Sequence, residues 1–135
     1  MLFRSDEEIV ALSGAHTFGR AYKDRSGAGA ERTKFTDGSR QLIHGTEGTP
    51  PLTYKTGGSS WTSNWLTFDN SYYHTISDTN SDPELLKLET DKTLFDDESF
   101  KVYAEQFKSS QDAFFVSYAK AHKKLSELGS KFVQR

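Results

Sequence analysis

The chain has no cysteine among its 135 residues. Disulfides, zinc–thiolate sites and thiol nucleophiles are therefore excluded. Apolar residues make up 34% of the sequence. No run of about 18 apolar residues occurs, which excludes a membrane-spanning helix. Neither charge dominates: 17 Lys and Arg stand against 19 Asp and Glu, for a net charge of −2 and a pI near 6.1. That balance argues against a nucleic-acid or membrane-surface binder. Mean hydropathy is −0.71, so a self-contained core would be thin for this length and a piece of something larger is indicated. The opening MLFRSDEE has neither the apolar core of a secretory signal nor the composition of a transit peptide. Any targeting segment is expected upstream.

What is present is mostly helical in pattern. Ser5 and Glu8 have capping-box spacing and predict a helix over 5–16. Ile9, Leu12 and His16 fall on one face of it and point inward, while Gly14 and Gly19 allow something flat or bulky to come close. Residues 33–57 read as a long loop rich in Thr, Gly and Ser, with two adjacent prolines. An aromatic-rich stretch follows, turn-like through Asp69 and helical from Asn70. Asp97 is placed to cap a helix over 98–108 with Phe100, Tyr103 and Phe107 inward. Asp112 is placed to cap a last helix over 113–128, with the stripe Phe114, Tyr118, Ala121, Leu125 and Leu128 and Gly129 closing it. His74 and His122 read as surface or packing residues of helices.

Three residues combine chemically. A neutral imidazole such as His16 is the commonest metal or haem-iron ligand. A ligating histidine donates its second N–H to a carboxylate, and Asp91 offers one. Trp61 carries only an N–H and would seek an acceptor if buried, which Asp91 also provides. Spacing alone does not decide between this triangle and a core histidine, a core tryptophan and a helix-capping aspartate.

The stretch EIVALSGAHTF, residues 8–18, resembles the proximal haem-ligand signature of the plant, fungal and bacterial haem peroxidases. SWTSNWLTFDNSYY, LETDKTLF and DAFFVSYAKAHKKLSELGSKF are similar, in the same order, to ascorbate peroxidases of class I. The resemblance covers nearly the whole chain except 33–57, where chloroplast-type members carry extra residues. It implies a mainly α fold, residues 1–135 forming the proximal C-terminal half of a haem peroxidase domain with long irregular connections.

The resemblance implies haem b as cofactor, with His16 as the axial iron ligand. Asp91 would be the carboxylate on that histidine, and Trp61 would pack under the haem and donate to the same carboxylate. A histidine drawn toward imidazolate by Asp91 lowers the iron's potential. Thr17, Thr62, Asn64, Thr67 and Asp69 match the family's proximal cation site, usually assigned potassium and suited to oxygen donors. A cation roughly 8 Å from Trp61 would disfavour a tryptophan cation radical by about 2 kcal/mol at an effective dielectric of about 20. Arg25 matches the arginine that binds ascorbate, a monoanion suited to a guanidinium. Lys23 and Arg20 fit a solvated charged loop. Tyr22 stands where many members have a histidine near a haem propionate, a departure that alters the hydrogen bonding there.

The implied reaction reduces hydrogen peroxide to water with ascorbate as donor. It needs a distal arginine and histidine, for charge stabilisation and proton transfer, on a helix upstream of the proximal ligand. No histidine precedes His16, so the distal part is expected to be missing from this chain. Arg40 and His44 mimic the distal spacing but follow the ligand and lack the aromatic between them. Two alternatives stand beside the enzyme: a catalytically incompetent fragment that binds haem or a partner chain, and a cytochrome c peroxidase-like enzyme. Arg25 and the oxygen-rich segment favour ascorbate over cytochrome c. The insert points to a plastid stroma, with the cytoplasm as the other compartment, and association with a second copy or a missing distal segment fits the exposed apolar faces.

Overall fold

A computed structural model describes residues 5–36 and 57–131. Most of the loop predicted over 33–57, with Arg40 and His44, lies outside the described residues. Within them the chain is mainly α-helical, as the apolar periodicity predicts.

Helix α1 (Asp6–Ser13) starts as the sequence reads. The Ser5 hydroxyl accepts from Glu8 N, and the Glu8 carboxylate accepts from Ser5 N. The helix then tightens into a 3-10 turn, Gly14–Thr17, that carries His16. The predicted stripe is corrected. Val10 and Ala11 are the residues buried by α1, while Ile9 is 37% exposed and Leu12 and His16 are half-buried. Helix α1 packs against α5 and α6 along the side that carries Val10 and Ala11, and the change of pitch at Gly14 takes His16 off the 3.6-residue period of the helix before it.

The remaining elements are α2 (Lys23–Ser26), α3 (Ser71–Ser77), α4 (Glu89–Asp96), α5 (Glu98–Ser109) and α6 (Gln111–Glu127). Strands β1 (Arg20–Ala21) and β2 (Ser59–Ser60) pair antiparallel, Arg20 opposite Ser60. Asp97 caps α5 as expected, accepting from Ser99 N and Phe100 N. The cap of α6 is Ser110 rather than Asp112: its hydroxyl accepts from Ala113 N. Asp112 instead lies in the first turn, where its charge suits the helix dipole.

Helix α1 packs across α5 and α6, α5 also meets α3 and α4, and the core lies between them. Tyr73, Phe107 and Phe114 form its centre, with ring centroids 5.2 to 6.0 Å apart. The α6 stripe reaches inward only as far as Ala121, whereas Leu125 and Leu128 are 49% and 55% exposed. No described element covers the end of that helix.

Gly14 explains the close packing of the turn. A Cβ built there would lie 2.4 Å from both Phe114 Cε1 and the Tyr73 hydroxyl. The flat group anticipated near this glycine is the Phe114 ring. Gly14→Ala is therefore expected to destabilise by about 1–3 kcal/mol, read as a lower urea midpoint at unchanged slope.

Helices α1 and α6 are also joined by an ion pair. Lys124 Nζ lies 2.8 and 3.1 Å from the two Glu8 oxygens. That hydrogen bond is the main reason the Glu8 carboxyl titrates below its ordinary value. A lowered folded value means the contribution is present above the unfolded pKa of about 4.3 and is lost as pH falls through the folded value. Lys124→Met should slightly lower Tm on the neutral plateau and so flatten that part of the acid limb of Tm against pH, the variant and the parent converging at low pH.

Candidate proximal haem site

The site forms where four separate pieces of chain meet. The 3-10 turn presents His16, and Gly19, with φ +86°, turns the chain from it into β1. Pairing of β1 with β2 then brings Trp61, the residue after β2, back under the turn. The Thr62 hydroxyl donates to Thr17 O at 3.1 Å, and Gly19 N donates to Trp65 O at 2.7 Å. Helix α4 delivers Asp91 from its first turn, and α3 delivers Tyr72.

Asp91 is 2% exposed and receives four hydrogen bonds. Its Oδ1 faces His16 Nδ1 at 3.2 Å and accepts from the Tyr72 hydroxyl at 2.5 Å. Its Oδ2 accepts from Trp61 Nε1 at 2.8 Å and from the Leu88 backbone N–H at 2.8 Å. The aspartate thus serves at once as the shared acceptor of the triangle and as a cap at the start of its own helix. Trp61, 7% exposed, lies plane to plane with His16, with centroids 4.0 Å apart and 7° between the rings.

Burial alone would raise the Asp91 carboxyl. The bonds from His16, Tyr72, Leu88 and Trp61 outweigh it and hold the group below the ordinary carboxylate range. It is therefore an ionised acceptor, and both His16 Nδ1 and Trp61 Nε1 serve as donors to it. With Nδ1 so engaged, Nε2 is the imidazole nitrogen left with a lone pair. The His16 side chain is 38% exposed, so the imidazole is open to a ligand.

Tyr72 is the residue the sequence reasoning missed. Its signal, a tyrosine in the run Asn70–Ser71–Tyr72–Tyr73, is indistinguishable from that of any aromatic helix residue until α3 and α4 are packed. Burial, and then the negative charge of Asp91, push its phenol upward. It remains a proton donor.

A second polar cluster lies behind the turn. The Thr17 hydroxyl donates to Asp69 Oδ1 at 2.9 Å, and Ser71 donates to the same oxygen at 2.5 Å through its hydroxyl and at 3.0 Å through its backbone N–H. Thr17 and Thr62 are buried. Of the five residues matched to a cation site, Thr17, Thr62 and Asp69 are thus drawn together. Asn64 and Thr67 are exposed and are linked to each other by the Thr67 N to Asn64 O bond at 3.2 Å. Ser71, which was not anticipated, belongs to the cluster.

The basic segment divides differently from the sequence reading. Arg20 is not a solvated charge. Its guanidinium lies over Trp65 at 4.5 Å and Tyr22 at 5.3 Å, and it donates to Gly57 O at 2.9 Å. Arg25 and Lys23 are exposed on α2, and Arg25 also lies against Tyr22, at 5.3 Å. Tyr22 is therefore flanked by two guanidinium groups.

A half-buried histidine held by a buried carboxylate and backed by a stacked tryptophan, on a helical frame, is an arrangement suited to ligating a metal. Residues 3–110 match the Peroxidase family, and the chain belongs to it. It is 53% identical over 128 residues to the rice (Oryza sativa subsp. japonica) protein named "Probable L-ascorbate peroxidase 5, chloroplastic", covering 95% of this chain and 36% of the relative. Identity to L-ascorbate peroxidase T, chloroplastic, of Arabidopsis thaliana is 52% over 127 residues, covering 94% of this chain and 26% of the relative. L-ascorbate peroxidase 2, cytosolic, of rice is 41% identical over 125 residues, covering 93% and 38%. The chain thus spans between a quarter and two-fifths of the length of these relatives.

Haem is the cofactor that the family implies, and the residues present suit it. One partly exposed histidine offers Nε2, its other nitrogen is held by an ionised carboxylate, and the flat Trp61 ring supports the imidazole from one side. Phe18, two residues after His16 in the chain, is 55% exposed, apolar surface of the kind a largely apolar macrocycle would cover.

Proposed function

We propose that the chain forms the proximal side of a haem-dependent ascorbate peroxidase, an oxidoreductase that reduces hydrogen peroxide to water with ascorbate as electron donor. The observation that carries the reading is the hydrogen bond between His16 Nδ1 and Asp91. A neutral histidine alone is a modest donor. One whose second N–H is drawn to a buried carboxylate is electron-rich, which favours the oxidised metal. When bound, haem supplies the redox chemistry on peroxide. His16 would hold the iron through Nε2, with Asp91 fixing the tautomer and Trp61 keeping the ring plane in place.

Potassium is proposed for the Thr17–Asp69 cluster, with Thr62, Asn64 and Thr67 as the further oxygen donors. Support comes from the concentration of oxygens around Asp69. Arg25 is proposed as the ascorbate contact. It is exposed, and its guanidinium lies over the Tyr22 ring at 5.3 Å, which holds the charged group at the surface. A plastid location is supported by the higher identity to chloroplastic relatives, 53% and 52%, than to the cytosolic one, 41%.

The test is donor-selective. In the full-length, haem-loaded protein, Arg25→Ala should raise the KM for ascorbate about tenfold, the scale of one charge-assisted hydrogen bond. Turnover with a small neutral phenol should stay within about twofold. Equal losses with both donors would remove Arg25 from the substrate site, and absence of peroxide turnover with any donor would remove the enzyme reading.

A further inference from the structure

The Asp91 carboxylate does not serve His16 alone. Its Oδ1 is shared: the Tyr72 hydroxyl approaches to 2.5 Å, while His16 Nδ1 stands off at 3.2 Å, the longest of the four bonds to this group. Two donors on one oxygen compete for the same negative charge. Each reduces what the other can draw, and inside a buried site that competition is not screened by water. Tyr72 is itself 0% exposed and lies edge-on to the imidazole, with centroids 5.7 Å apart. It therefore touches both members of the pair without offering iron a ligand atom. Its hydroxyl has no alternative use in the site except to neutralise part of the Asp91 charge.

We propose that Tyr72 is a positioning residue that limits how far Asp91 draws the His16 N–H, and so raises the reduction potential of an iron bound at His16 Nε2. The proposal rests on the haem reading above. Trp61 Nε1 and Leu88 N bind the opposite oxygen. They anchor the carboxylate rather than compete directly at Oδ1. Tyr72 is thus the side chain placed to set donor strength, and Asp91 the group through which it acts.

The experiment removes one oxygen atom. Tyr72→Phe keeps the ring and its contact with Tyr73 while deleting the hydroxyl. In the full-length holoenzyme, spectroelectrochemical titration should show the ferrous-to-ferric ratio at a fixed potential falling about tenfold, a shift of about 59 mV in the negative direction for a one-electron couple. The iron–histidine stretch in the resonance Raman spectrum of the ferrous protein should rise with it. Tyr73→Phe is the control: its hydroxyl donates to Val10 O at 2.7 Å, not to Asp91, so the same deletion should cost stability and leave the potential in place. In an Asp91→Asn background Tyr72→Phe should no longer shift the potential in the negative direction. An unchanged or more positive potential in Tyr72→Phe, in a protein whose haem band depends on His16, overturns the role of Tyr72 alone. A haem band indifferent to His16 overturns the haem reading and this inference together.

Discussion

Asp91→Asn is expected to leave the protein folded and to weaken haem binding by about 10–100-fold, the range typical for loss of a metal ligand's supporting carboxylate. The two outcomes separate because the four donors to Asp91 differ in what they can become. Trp61 Nε1 and Leu88 N can only donate. They claim the single carbonyl oxygen of an asparagine, as they now claim Oδ2. The amide nitrogen then faces Tyr72 and His16. A hydroxyl can turn and accept. The imidazole can also accept, but only by moving its proton from Nδ1 to Nε2. Each partner then keeps at least one hydrogen bond, so the loss of stability should stay within about 1–2 kcal/mol. The nitrogen meant for iron, however, now carries a hydrogen. Asp91→Ala reverses the balance. It leaves the Trp61, Tyr72 and Leu88 donors buried without an acceptor, at about 1–3 kcal/mol each, offset by removal of a buried charge. A net loss of about 3–5 kcal/mol is expected. Urea denaturation of each variant, beside titration with hemin, reads both quantities. An alanine variant as stable as the asparagine one would contradict the buried network.

These contrasts also show what a linear reading can reach. The capping box at Ser5 and Glu8 and the Asp97 cap depend on residues three positions apart or fewer, and both were legible. The Phe114 and Phe107 faces were legible from helical period, since burial repeats along the helix. The break at Gly14 was not. A 3-10 turn has no composition of its own, and here it is set by the close approach of Phe114 and Tyr73 from distant helices. The triangle of His16, Trp61 and Asp91 was reached through a resemblance to haem peroxidases, whereas spacing alone left it open. Tyr72 and Ser71 were invisible for a different reason. Their roles follow from the register of α3 against α4 and against the turn at Thr17. Arg20 was misjudged because Gly57 and Trp65, which hold it together with the nearby Tyr22, lie far from it in sequence.

His16→Ala should abolish the sharp Soret band formed on adding hemin to the full-length apoprotein and reduce peroxide turnover to that of free hemin. The expectation follows from the chemistry of the imidazole: with His16 Nδ1 committed to Asp91, Nε2 is the nitrogen left to bind iron, and alanine offers no lone pair. Loss of the side chain also removes a ring stacked 4.0 Å from Trp61, leaving a gap with an aromatic floor and an ionised acceptor at Asp91. A small heteroaromatic donor suits that gap in shape and in hydrogen bonding. Imidazole added to the variant should therefore restore part of the Soret band, whereas benzene, which fits the space but brings no nitrogen, should not. Combining His16→Ala with Asp91→Ala should abolish the rescue, because the acceptor that orients the added ring is then gone. Rescue that survives in the double variant would mean that imidazole reaches the iron from elsewhere. A Soret band unchanged by His16→Ala alone would mean that this histidine, however well supported by Asp91 and Trp61, holds no haem.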